Sequence, residues 1–271
     1  MNTYNPEQKK AIEYVGDRPL LIDAGPGAGK TFVLIERIKN LIKVQGVKPE
    51  SILIITFTRK AASQLKDRLR KDEQITTEMI NKMHISTIHS LCNTIVDEFG
   101  RRQSILGSDY QQNMFISHNK DKFNFIGISF IPKSEIKYVV RKFNEFTIFD
   151  VDIDKLIKYI KVEHPIDSEF SEYIIKLMED YGEDFEFPFN VVYDNDNYAE
   201  SWFNAKYLAI AKAYPIYQRL LKKHGKVDLN FLQIEALKLL KNPNIRAKLP
   251  YKNILIDEFQ DSDPIQMQIF E

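Results

Sequence analysis

The sequence predicts an α/β protein with a parallel sheet flanked by helices and a mostly α-helical inserted subdomain. Strand-like and helix-like patterns alternate over residues 1–91, which is typical of a parallel sheet covered by helices. Helical patterns dominate residues 92–251, and a strand-like apolar run returns at Ile254. We therefore predict one domain made of residues 1–91 and 252–271, interrupted by a helical insertion of residues 92–251.

The first element is a helix from Pro6 through about Tyr14, because Asn5 is a good cap and proline suits the first helical position. An apolar run at Leu20–Ala24 predicts a strand. A helix is expected over Gly29–Val44, where apolar residues recur at helical spacing. The next predicted elements are a strand at Ser51–Thr56, an amphipathic helix at Arg59–Lys71 and a strand at His84–Ile88.

Within residues 92–251 the helical spacing of apolar residues is the main signal. It predicts helices at Ser134–Phe146, Ile153–Val162, Glu169–Tyr181, Tyr198–His224 and Asn230–Leu240. Residues Gly182–Asn197, rich in Asp, Phe and Asn, predict a loop. Trp202 is either a platform for a nucleic-acid base or a core residue, and its helical spacing favours the core.

Composition favours a folded protein without disulfide bonds or membrane spans. The chain has 271 residues, 44% of them hydrophobic, with 18 Phe and 13 Tyr. A single cysteine, Cys92, excludes an internal disulfide and fits a reducing compartment. The sequence shows no signal peptide, and no apolar stretch approaches the roughly 20 residues of a membrane span. We expect a cytoplasmic protein with no membrane partner.

The net charge is zero, yet the charges are separated along the chain. Residues 1–72 carry 14 basic and 8 acidic side chains, and residues 201–252 carry 11 basic and 2 acidic ones. Residues 150–200 carry 4 basic and 15 acidic side chains. The two basic blocks would attract nucleic acid, although basic stretches are also common on solvated faces.

The segment Ala24–Thr31, with the sequence AGPGAGKT, follows the apolar run and precedes a predicted helix. Glycines in such a turn let backbone N–H groups surround phosphate oxygens, with the helix N-terminus adding positive potential. Lys30 would supply charge to the terminal phosphates and Thr31 could hold Mg²⁺. Alanine replaces the usual first glycine. The predicted phosphate-binding residues are Ala24, Gly25, Pro26, Gly27, Ala28, Gly29, Lys30 and Thr31.

Two carboxylates follow the apolar run Ile254–Ile256. A buried parallel strand would deliver them to its carboxyl edge, where Asp257 could hold Mg²⁺ and Glu258 could orient or deprotonate the attacking water. A solvated acidic turn is the alternative, which the phosphate-binding segment disfavours. We predict Lys30, Asp257 and Glu258 as the catalytic set for hydrolysis of a nucleoside triphosphate.

Four further segments resemble, in order, motifs of superfamily 1 DNA helicases of the UvrD/Rep/PcrA type. The matching segments are Tyr4–Gln8, Thr56–Ala62, Ser86–Ser90 and Asp257–Asp261. Lys226–Leu229, ahead of a predicted helix, is similar to another short signature of the family. With the phosphate-binding segment, the resemblance covers nearly the whole chain.

The resemblance implies a RecA-like P-loop motor domain that uses ATP and Mg²⁺. It assigns adenine recognition to Gln8, whose amide offers both a donor and an acceptor, although an exposed helix glutamine is the alternative. It also assigns Gln260 and Asp261 to the coupling extension of the acidic motif. Phe32 departs from the arginine that family members often carry after Gly-Lys-Thr, which puts the contact of that arginine with the nucleotide in doubt.

The resemblance places a path for single-stranded DNA on two of these segments. These segments contain hydroxyl side chains, cations and a predicted helix N-terminus, which are groups that bind a phosphodiester backbone. Phe57 could stack on a base, whereas without the resemblance a core aromatic at a strand end would be preferred. The predicted DNA-binding residues are Thr56, Phe57, Thr58, Arg59, Lys60, Thr87, His89 and Ser90. A lysine cluster at Lys222, Lys223 and Lys226 could contact a duplex junction or lie in solvent.

The leading hypothesis is the N-terminal half of an ATP-dependent DNA helicase or translocase, of the 3′-to-5′ type by resemblance. Its partners would be single-stranded DNA, a duplex junction and a C-terminal motor domain, because the family's later motifs and arginine fingers would follow Glu271. A stand-alone ATP-dependent DNA-binding or interaction module is the alternative from another class. A P-loop phosphotransferase is a third hypothesis, for which no acceptor-binding signature is found.

Overall fold

The computed structural model describes residues 4–16, 18–25, 27–164, 166–186 and 196–271, with side chains from residue 200 onward in the last range. The chain forms two compact units. The first unit comprises Met1–Ile95 and Leu239–Ser262, and the second comprises Val96–Lys238 and Asp263–Glu271. The predicted limits of an insertion, residues 92–251, stay a prediction.

Parallel pairing organises the strands of both units. The strands are β1 (Ile52–Thr56), β2 (His84–Thr87), β3 (Ser104–Leu106), β4 (Lys226–Asp228) and β5 (Asn253–Ile256). In the first unit the order is β2-β1-β5, with both pairs parallel. The central strand, β1, is buried along its whole length, as its unbroken apolar sequence requires.

Helices cover this sheet, which confirms the α/β class with a parallel sheet flanked by helices. Those of the first part of the chain are α1 (Pro6–Glu13), α2 (Lys30–Lys43), α3 (Arg59–Arg70), α4 (Thr77–Lys82) and α5 (Ile88–Phe99). Ile38 and Leu41 from α2 share a core cluster with Leu65 and Leu69 from α3 and with Ile54 of β1. This core fixes α2 and α3, the two helices that follow the candidate site loops.

The strand predicted at Leu20–Ala24 is wrong, because no described strand pairs with this segment. Leu20, Leu21 and Ile22 are 44%, 74% and 43% exposed. An apolar run becomes a strand only where a neighbouring strand takes up its backbone hydrogen bonds. The phosphate-binding segment is therefore preceded by irregular chain among the described residues.

The second unit is mostly helical. Its helices and those at the end of the chain are α6 (Asp109–His118), α7 (Ile136–Ile148), α8 (Ile153–Glu163), α9 (Ser168–Tyr181), α10 (Asp196–Lys223), α11 (Leu229–Leu240), α12 (Pro243–Arg246) and α13 (Pro264–Phe270). All five helices predicted for this part of the sequence are present, with ends shifted by a few residues. Of the predicted loop, Gly182–Asp184 forms a single 3₁₀ turn, and residues 187–195 lie outside the described residues.

A small parallel sheet in the second unit was not predicted. Strands β3 and β4 pair through three residues each, from Ser104 opposite Lys226 to Leu106 opposite Asp228. Three residues are too few for an alternating pattern to show in the sequence. The pairing brings two segments more than a hundred residues apart into one element.

Aromatic side chains build the core of the second unit. The ring of Phe143 stacks on Tyr217 at 4.8 Å between centroids and lies 5.5 Å from Tyr214. Trp202 is 1% exposed and belongs to the same core cluster, which confirms the core interpretation of this residue. Such packing stabilises the unit without offering these rings to a ligand.

One buried carboxylate organises the polar contacts of this core. Asp228 accepts a hydrogen bond from the Tyr217 hydroxyl at 2.8 Å and another from the backbone N–H of Phe231 at 2.8 Å. Burial raises the pKa of Asp228 above its ordinary value, and the Tyr217 hydroxyl in turn takes a hydrogen bond from Gln112. The segment Lys226–Leu229 therefore has a structural role at the junction of β4 and α11.

Candidate nucleotide cleft and neighbouring strand ends

The segment between residue 24 and α2 contains two left-handed glycines. Gly27 has φ of 76° and Gly29 has φ of 87°, a backbone conformation that side chains other than glycine rarely adopt. Ala28 donates its N–H to the carbonyl of Gly25 at 3.3 Å, which closes the turn, and Ala24 is half-buried just before it. Pro26 lies outside the described residues.

Gly29 immediately precedes the first residue of α2, Lys30. Among the described residues no side chain caps this helix, so its first-turn N–H groups have no side-chain acceptor. A helix of this kind, with Lys30 and Thr31 in its first turn, has the backbone donors and the positive potential that bind phosphate. The segment therefore offers backbone donors to an anion, and its role in phosphate binding stays a prediction.

The carboxylates of Asp257 and Glu258 lie at the carboxyl end of β5. The N–H of Asp257 donates to the carbonyl of Ile55 at 2.9 Å, which holds it beside the end of β1. Glu258 has φ of 55°, and its carboxylate lies 3.6 Å from the Lys30 ammonium. The side-chain amide of Gln260 donates to Glu258 at 2.5 Å. The structure thus brings together two of the three predicted catalytic residues directly.

The two carboxylates have opposite electrostatic surroundings. The pKa of Glu258 is lowered, first by the hydrogen bond from Gln260 and then by the charge of Lys30. The pKa of Asp257 is raised, first by burial and then by the negative charge of Glu258. Of these two carboxyl groups, Glu258 is therefore the more readily ionised.

Lys30, Glu258 and Gln260 border an open cleft of about 650 Å³, within the size range of small-molecule sites. It is lined by Gly27, Gly29, Lys30, Thr31, Phe32, Arg68, Glu258 and Gln260. Arg68, from the second half of α3, was not predicted as a site residue. No local motif marks it, because only the packing of α3 beside α2 brings it to the cleft.

The described residues contain no group of three or more His, Cys, Asp and Glu side chains that could hold a metal ion. Thr31 and Asp257 are the predicted magnesium ligands, one hydroxyl and one carboxylate. Mg²⁺ bound with a nucleotide commonly takes one or two carboxylates, phosphate oxygens and water. The donor set, the left-handed glycines and Lys30 fit a magnesium nucleotide.

Gln8 lies next to this cleft. It closes a capping box with Asn5, accepting from the Asn5 N–H at 3.1 Å and donating its own N–H to Asn5 at 2.7 Å. Its side-chain N–H₂ donates to the carbonyl of Ala28 at 3.3 Å. The rings of Tyr4 and Phe32 lie 5.8 Å apart. The amide thus holds α1 against the loop, and an adenine would have to replace contacts that it already makes.

The predicted DNA-binding residues lie at the carboxyl ends of β1 and β2, where Thr56 is the register partner of Thr87. Phe57 is 58% exposed, so it is not a core aromatic. Thr58 caps α3 by accepting the N–H of Ala61 at 3.0 Å, and Arg59 and Lys60 follow on the exposed first turn. An aromatic ring and two cations are therefore accessible beside a helix N-terminus.

Two of the predicted DNA-binding residues, Thr56 and Thr87, have buried side chains, and their contact with DNA stays a prediction. Thr56 is 1% exposed and donates its hydroxyl to the carbonyl of Thr58 at 3.0 Å. Thr87 is 7% exposed, and its hydroxyl bonds with that of Ser90 at 3.0 Å. Both hydroxyls shape the turns after their strands instead of facing solvent. His89 and Ser90 are half-buried and remain candidates for contact.

Gln260 and Asp261 belong to a 3₁₀ turn, Phe259–Asp261, directly after the two carboxylates. The N–H of Asp261 donates to the carbonyl of Glu258 at 2.9 Å. Gln260 lines the cleft and contacts Glu258, whereas the side chain of Asp261 is exposed. The coupling role predicted for these two residues stays a prediction.

No helix in the described ranges has the length and apolar character to cross a membrane.

Comparisons with known proteins agree on one family. The family model of the UvrD/REP helicase N-terminal domain matches residues 4–271. The chain is 27% identical to a probable DNA helicase II homolog of Mycoplasma capricolum subsp. capricolum, over 100% of this chain and 32% of that protein. It is 26% identical to the ATP-dependent DNA helicase SRS2 of Saccharomyces cerevisiae, over 98% of this chain and 21% of that protein.

A third relative is the ATP-dependent DNA helicase UvrD1 of Mycobacterium tuberculosis, 29% identical over 97% of this chain and 29% of that protein. The chain thus spans a third or less of the length of each of these three relatives. The family match covers all the segments that form the cleft and the neighbouring strand ends. The chain belongs to the UvrD/REP helicase family, in which it corresponds to the N-terminal domain.

Proposed function

We propose that this chain is the ATP-binding, N-terminal part of an ATP-dependent DNA helicase or translocase that moves 3′ to 5′ on single-stranded DNA. One observation carries the proposal: Lys30, in the first turn of α2, and Glu258, after β5, meet at 3.6 Å in an open cleft. A cation at a phosphate-binding helix N-terminus and a carboxylate beside it are the parts needed to bind a triphosphate and direct water at it.

Each residue of the cleft has a role that follows from its position. The backbone N–H groups around Gly27 and Gly29 bind phosphate oxygens, and Lys30 neutralises charge on the terminal phosphates. Thr31 and Asp257 hold magnesium, which neutralises phosphate charge when bound. When Lys30 binds phosphate, its ion pair with Glu258 breaks. The Glu258 carboxylate can then orient the attacking water.

Single-stranded DNA binds, in this proposal, along the carboxyl ends of β1 and β2. The ring of Phe57 stacks on a base, while Arg59 and Lys60 contact phosphates. Asp257 is hydrogen-bonded to Ile55, two residues before Phe57. The pairing of β1 with β5 therefore holds the two proposed sites on neighbouring strands of one sheet.

The activity of the whole protein is part of the proposal, because the chain spans a third or less of the length of the three relatives named above. Movement on DNA would require a C-terminal motor domain that contributes cations to the same nucleotide. Arginine fingers supply about 10³–10⁵ in rate in related phosphoryl-transfer enzymes. The isolated chain should therefore bind Mg-ATP and hydrolyse it slowly.

The test is a titration of the isolated chain with Mg-ATP, in which calorimetry measures the binding. Lys30→Ala should remove measurable binding while the circular dichroism spectrum stays unchanged. Lys48→Ala, at an exposed lysine that does not line the cleft, is the matched control and should bind as the wild type does. Undiminished binding by Lys30→Ala would contradict the proposed site. Turnover of about ten per second or more by the isolated chain would contradict a dependence on a second motor domain.

A further inference from the structure

We propose that the groove between α6 and α7 of the second unit is a docking site for an extended, acidic segment of a partner protein. The groove has a volume of about 740 Å³, and all the residues that line it belong to the second unit. None of them lies in a segment that the sequence analysis assigned to nucleotide or DNA. The inference is therefore independent of the proposed function.

One wall of the groove is a row of hydrogen-bond donors on α7. Lys137, Arg141 and Asn144 follow one another at intervals of four and three residues, so they lie on one face of the helix, and all three line the groove. Lys137 has no ion pair with any residue in the described ranges. The guanidinium of Arg141 lies 5.0 Å from the centre of the Tyr138 ring, a cation–π contact that leaves the N–H groups at its edge available to a ligand.

The third donor of this row, Asn144, is held in a fixed orientation by a buried polar network. Its side-chain oxygen accepts from the amides of Gln112 at 3.1 Å and Asn230 at 3.0 Å, and its N–H₂ donates to Gln112 at 3.3 Å. Gln112 also donates to the Tyr217 hydroxyl at 3.2 Å, and this hydroxyl donates to Asp228 at 2.8 Å. Since a side-chain amide has two N–H groups, one N–H of Asn144 is left for a ligand.

The opposite wall of the groove, on α6, offers acceptors. Asp109 and Asn113 are four residues apart on one face of α6, and both line the groove. The side-chain oxygen of Asn113 is buried and has no hydrogen-bond partner among the described residues. A buried acceptor without a donor is unfavourable, and a donor from a bound partner would satisfy it. A donor wall facing an acceptor wall suits a polypeptide backbone, which carries both N–H and C=O groups.

The charges of the groove favour an acidic peptide over nucleic acid. Glu145 is already paired with Lys142 at 2.6 Å and lies 3.8 Å from Arg141. With Lys137 and Asp109, three cations meet two carboxylates, which leaves one positive charge. Carboxylates in the lining would repel a phosphodiester backbone, which is charged at every unit. A peptide can instead place acidic side chains beside Lys137 and Arg141, and its N–H groups beside Asp109.

The length of the groove sets the size of the segment. Lys137 and Ile148 are eleven residues apart on α7, which is about 16 Å along the helix axis. An extended peptide covers this distance with about five residues. Ile148 is half-buried and offers an apolar contact at the end of the groove away from Lys137. We therefore assign a segment that is acidic at one end and apolar at the other.

Fluorescence anisotropy tests this with the 271-residue chain and the labelled peptide Leu-Gly-Glu-Asp-Glu-Gly-Leu, whose two apolar ends allow either direction in the groove. Binding should saturate, and Leu-Gly-Lys-Arg-Lys-Gly-Leu should bind at least about tenfold more weakly, since like charges repel across an interface. Lys137→Glu should weaken the acidic peptide by at least about tenfold for the same reason. Lys176→Glu, at an exposed lysine of α9 outside the groove lining, is the matched control and should stay within about twofold.

No saturable binding of the acidic peptide would overturn the proposal, and so would equal binding of the basic peptide. An equal loss in Lys137→Glu and Lys176→Glu would show attraction by general charge instead of docking in the groove. Displacement of the peptide by a five-nucleotide single strand that itself depends on Lys137 would make the groove a nucleic-acid surface and contradict a peptide partner. Because no nucleotide is added, these outcomes leave the proposed function, which Lys30→Ala tests, unaffected.

Discussion

The two units each contain a lysine–glutamate pair, and the pairs differ in burial. In the first unit Lys30 and Glu258 are 3.6 Å apart, with side chains 36% and 41% exposed. In the second unit Lys206 and Glu135 are 3.3 Å apart, with side chains 10% and 11% exposed. An exposed pair exchanges its partners at little cost, whereas separating a buried pair leaves a charge without solvent. The first pair suits a binding site, and the second holds helices together.

Aromatic residues show the same contrast. Phe57 in the first unit is 58% exposed at the end of β1, and Phe143 in the second is 1% exposed inside a cluster of rings. Aromatic stacking stabilises the second unit internally, while the exposed ring is available to a ligand. The same residue type is therefore packed in a core at one position and accessible at another.

The largest expected effect concerns the exposed pair. Glu258→Gln in the full-length protein should lower ATP hydrolysis by about 10²–10⁴-fold, because it removes the base that acts on water. Affinity for Mg-ATP should stay within a few-fold, since the proposed role is not at the bound phosphates. Steady-state hydrolysis and nucleotide titration measure the two quantities. A loss of affinity as large as the loss of rate would make Glu258 a structural residue.

The buried pair should respond in the opposite way. Glu135→Gln should lower the free energy of unfolding by about 3–5 kcal/mol, because Lys206 would be left buried without a carboxylate. Lys30→Ala should change it by less than about 1 kcal/mol. Urea unfolding followed by circular dichroism gives both values. Equal destabilisation by the two variants would remove the distinction between the pairs.

Two exposed phenylalanines sharpen the comparison. Phe57→Ala should weaken binding of a single-stranded oligonucleotide by about 1–3 kcal/mol without changing its dependence on salt, since stacking releases no counterions. Phe203 in the second unit is 55% exposed, and Phe203→Ala is the matched control with no expected loss. Fluorescence anisotropy at several salt concentrations measures both. A larger loss in Phe203→Ala would move the base-binding surface to the second unit.

The cations after Phe57 should affect salt dependence instead. Arg59→Ala and Lys60→Ala should each reduce the slope of log affinity against log salt by about 0.7 for single-stranded DNA. The double substitution of Lys222 and Lys223 by alanine should have little effect on single strands and a larger one on a junction with duplex. A single-strand slope that depends mainly on the lysine pair would contradict the proposed path.

The smallest effect is on pH dependence. Burial and Glu258 raise the pKa of Asp257, so this carboxyl takes up a proton at a higher pH than an ordinary aspartate does. Only the ionised form holds magnesium, and Mg-ATP affinity should therefore begin to fall earlier on acidification than an ordinary aspartate would predict. Titrations with and without magnesium measure this fall. Asp257→Asn should remove the dependence, and its persistence in that variant would assign it to another group.

Much of the fold follows from local sequence. Helix α1 begins at the predicted cap, Asn5, and β1 lies within the predicted strand because an unbroken apolar run fits the centre of a parallel sheet. The strand predicted at Leu20–Ala24 is absent for a physical reason. A strand forms only beside a neighbouring strand, and local sequence does not reveal whether one is there. The short strands β3 and β4 were not predicted, because three residues are too few to show an alternation of apolar and polar side chains.

The candidate site was predictable where residues are adjacent in sequence and not where packing assembles them. Gly27 and Gly29 adopt the left-handed geometry that their motif requires. Thr56 has the expected residue type at the expected strand end, but its hydroxyl turns inward to Thr58. Arg68 enters the cleft through the packing of α3, and no sequence pattern announces such a contact.

We propose that the first unit binds the nucleotide and that the second unit takes no part in nucleotide binding. Hydrogen exchange with and without Mg-ATP tests this directly. We predict new protection at residues 27–33 and 257–261, no change in α7 and α10, and no protection at all in Lys30→Ala. Protection centred on α7 and α10, or protection at the cleft that persists in Lys30→Ala, would contradict the account.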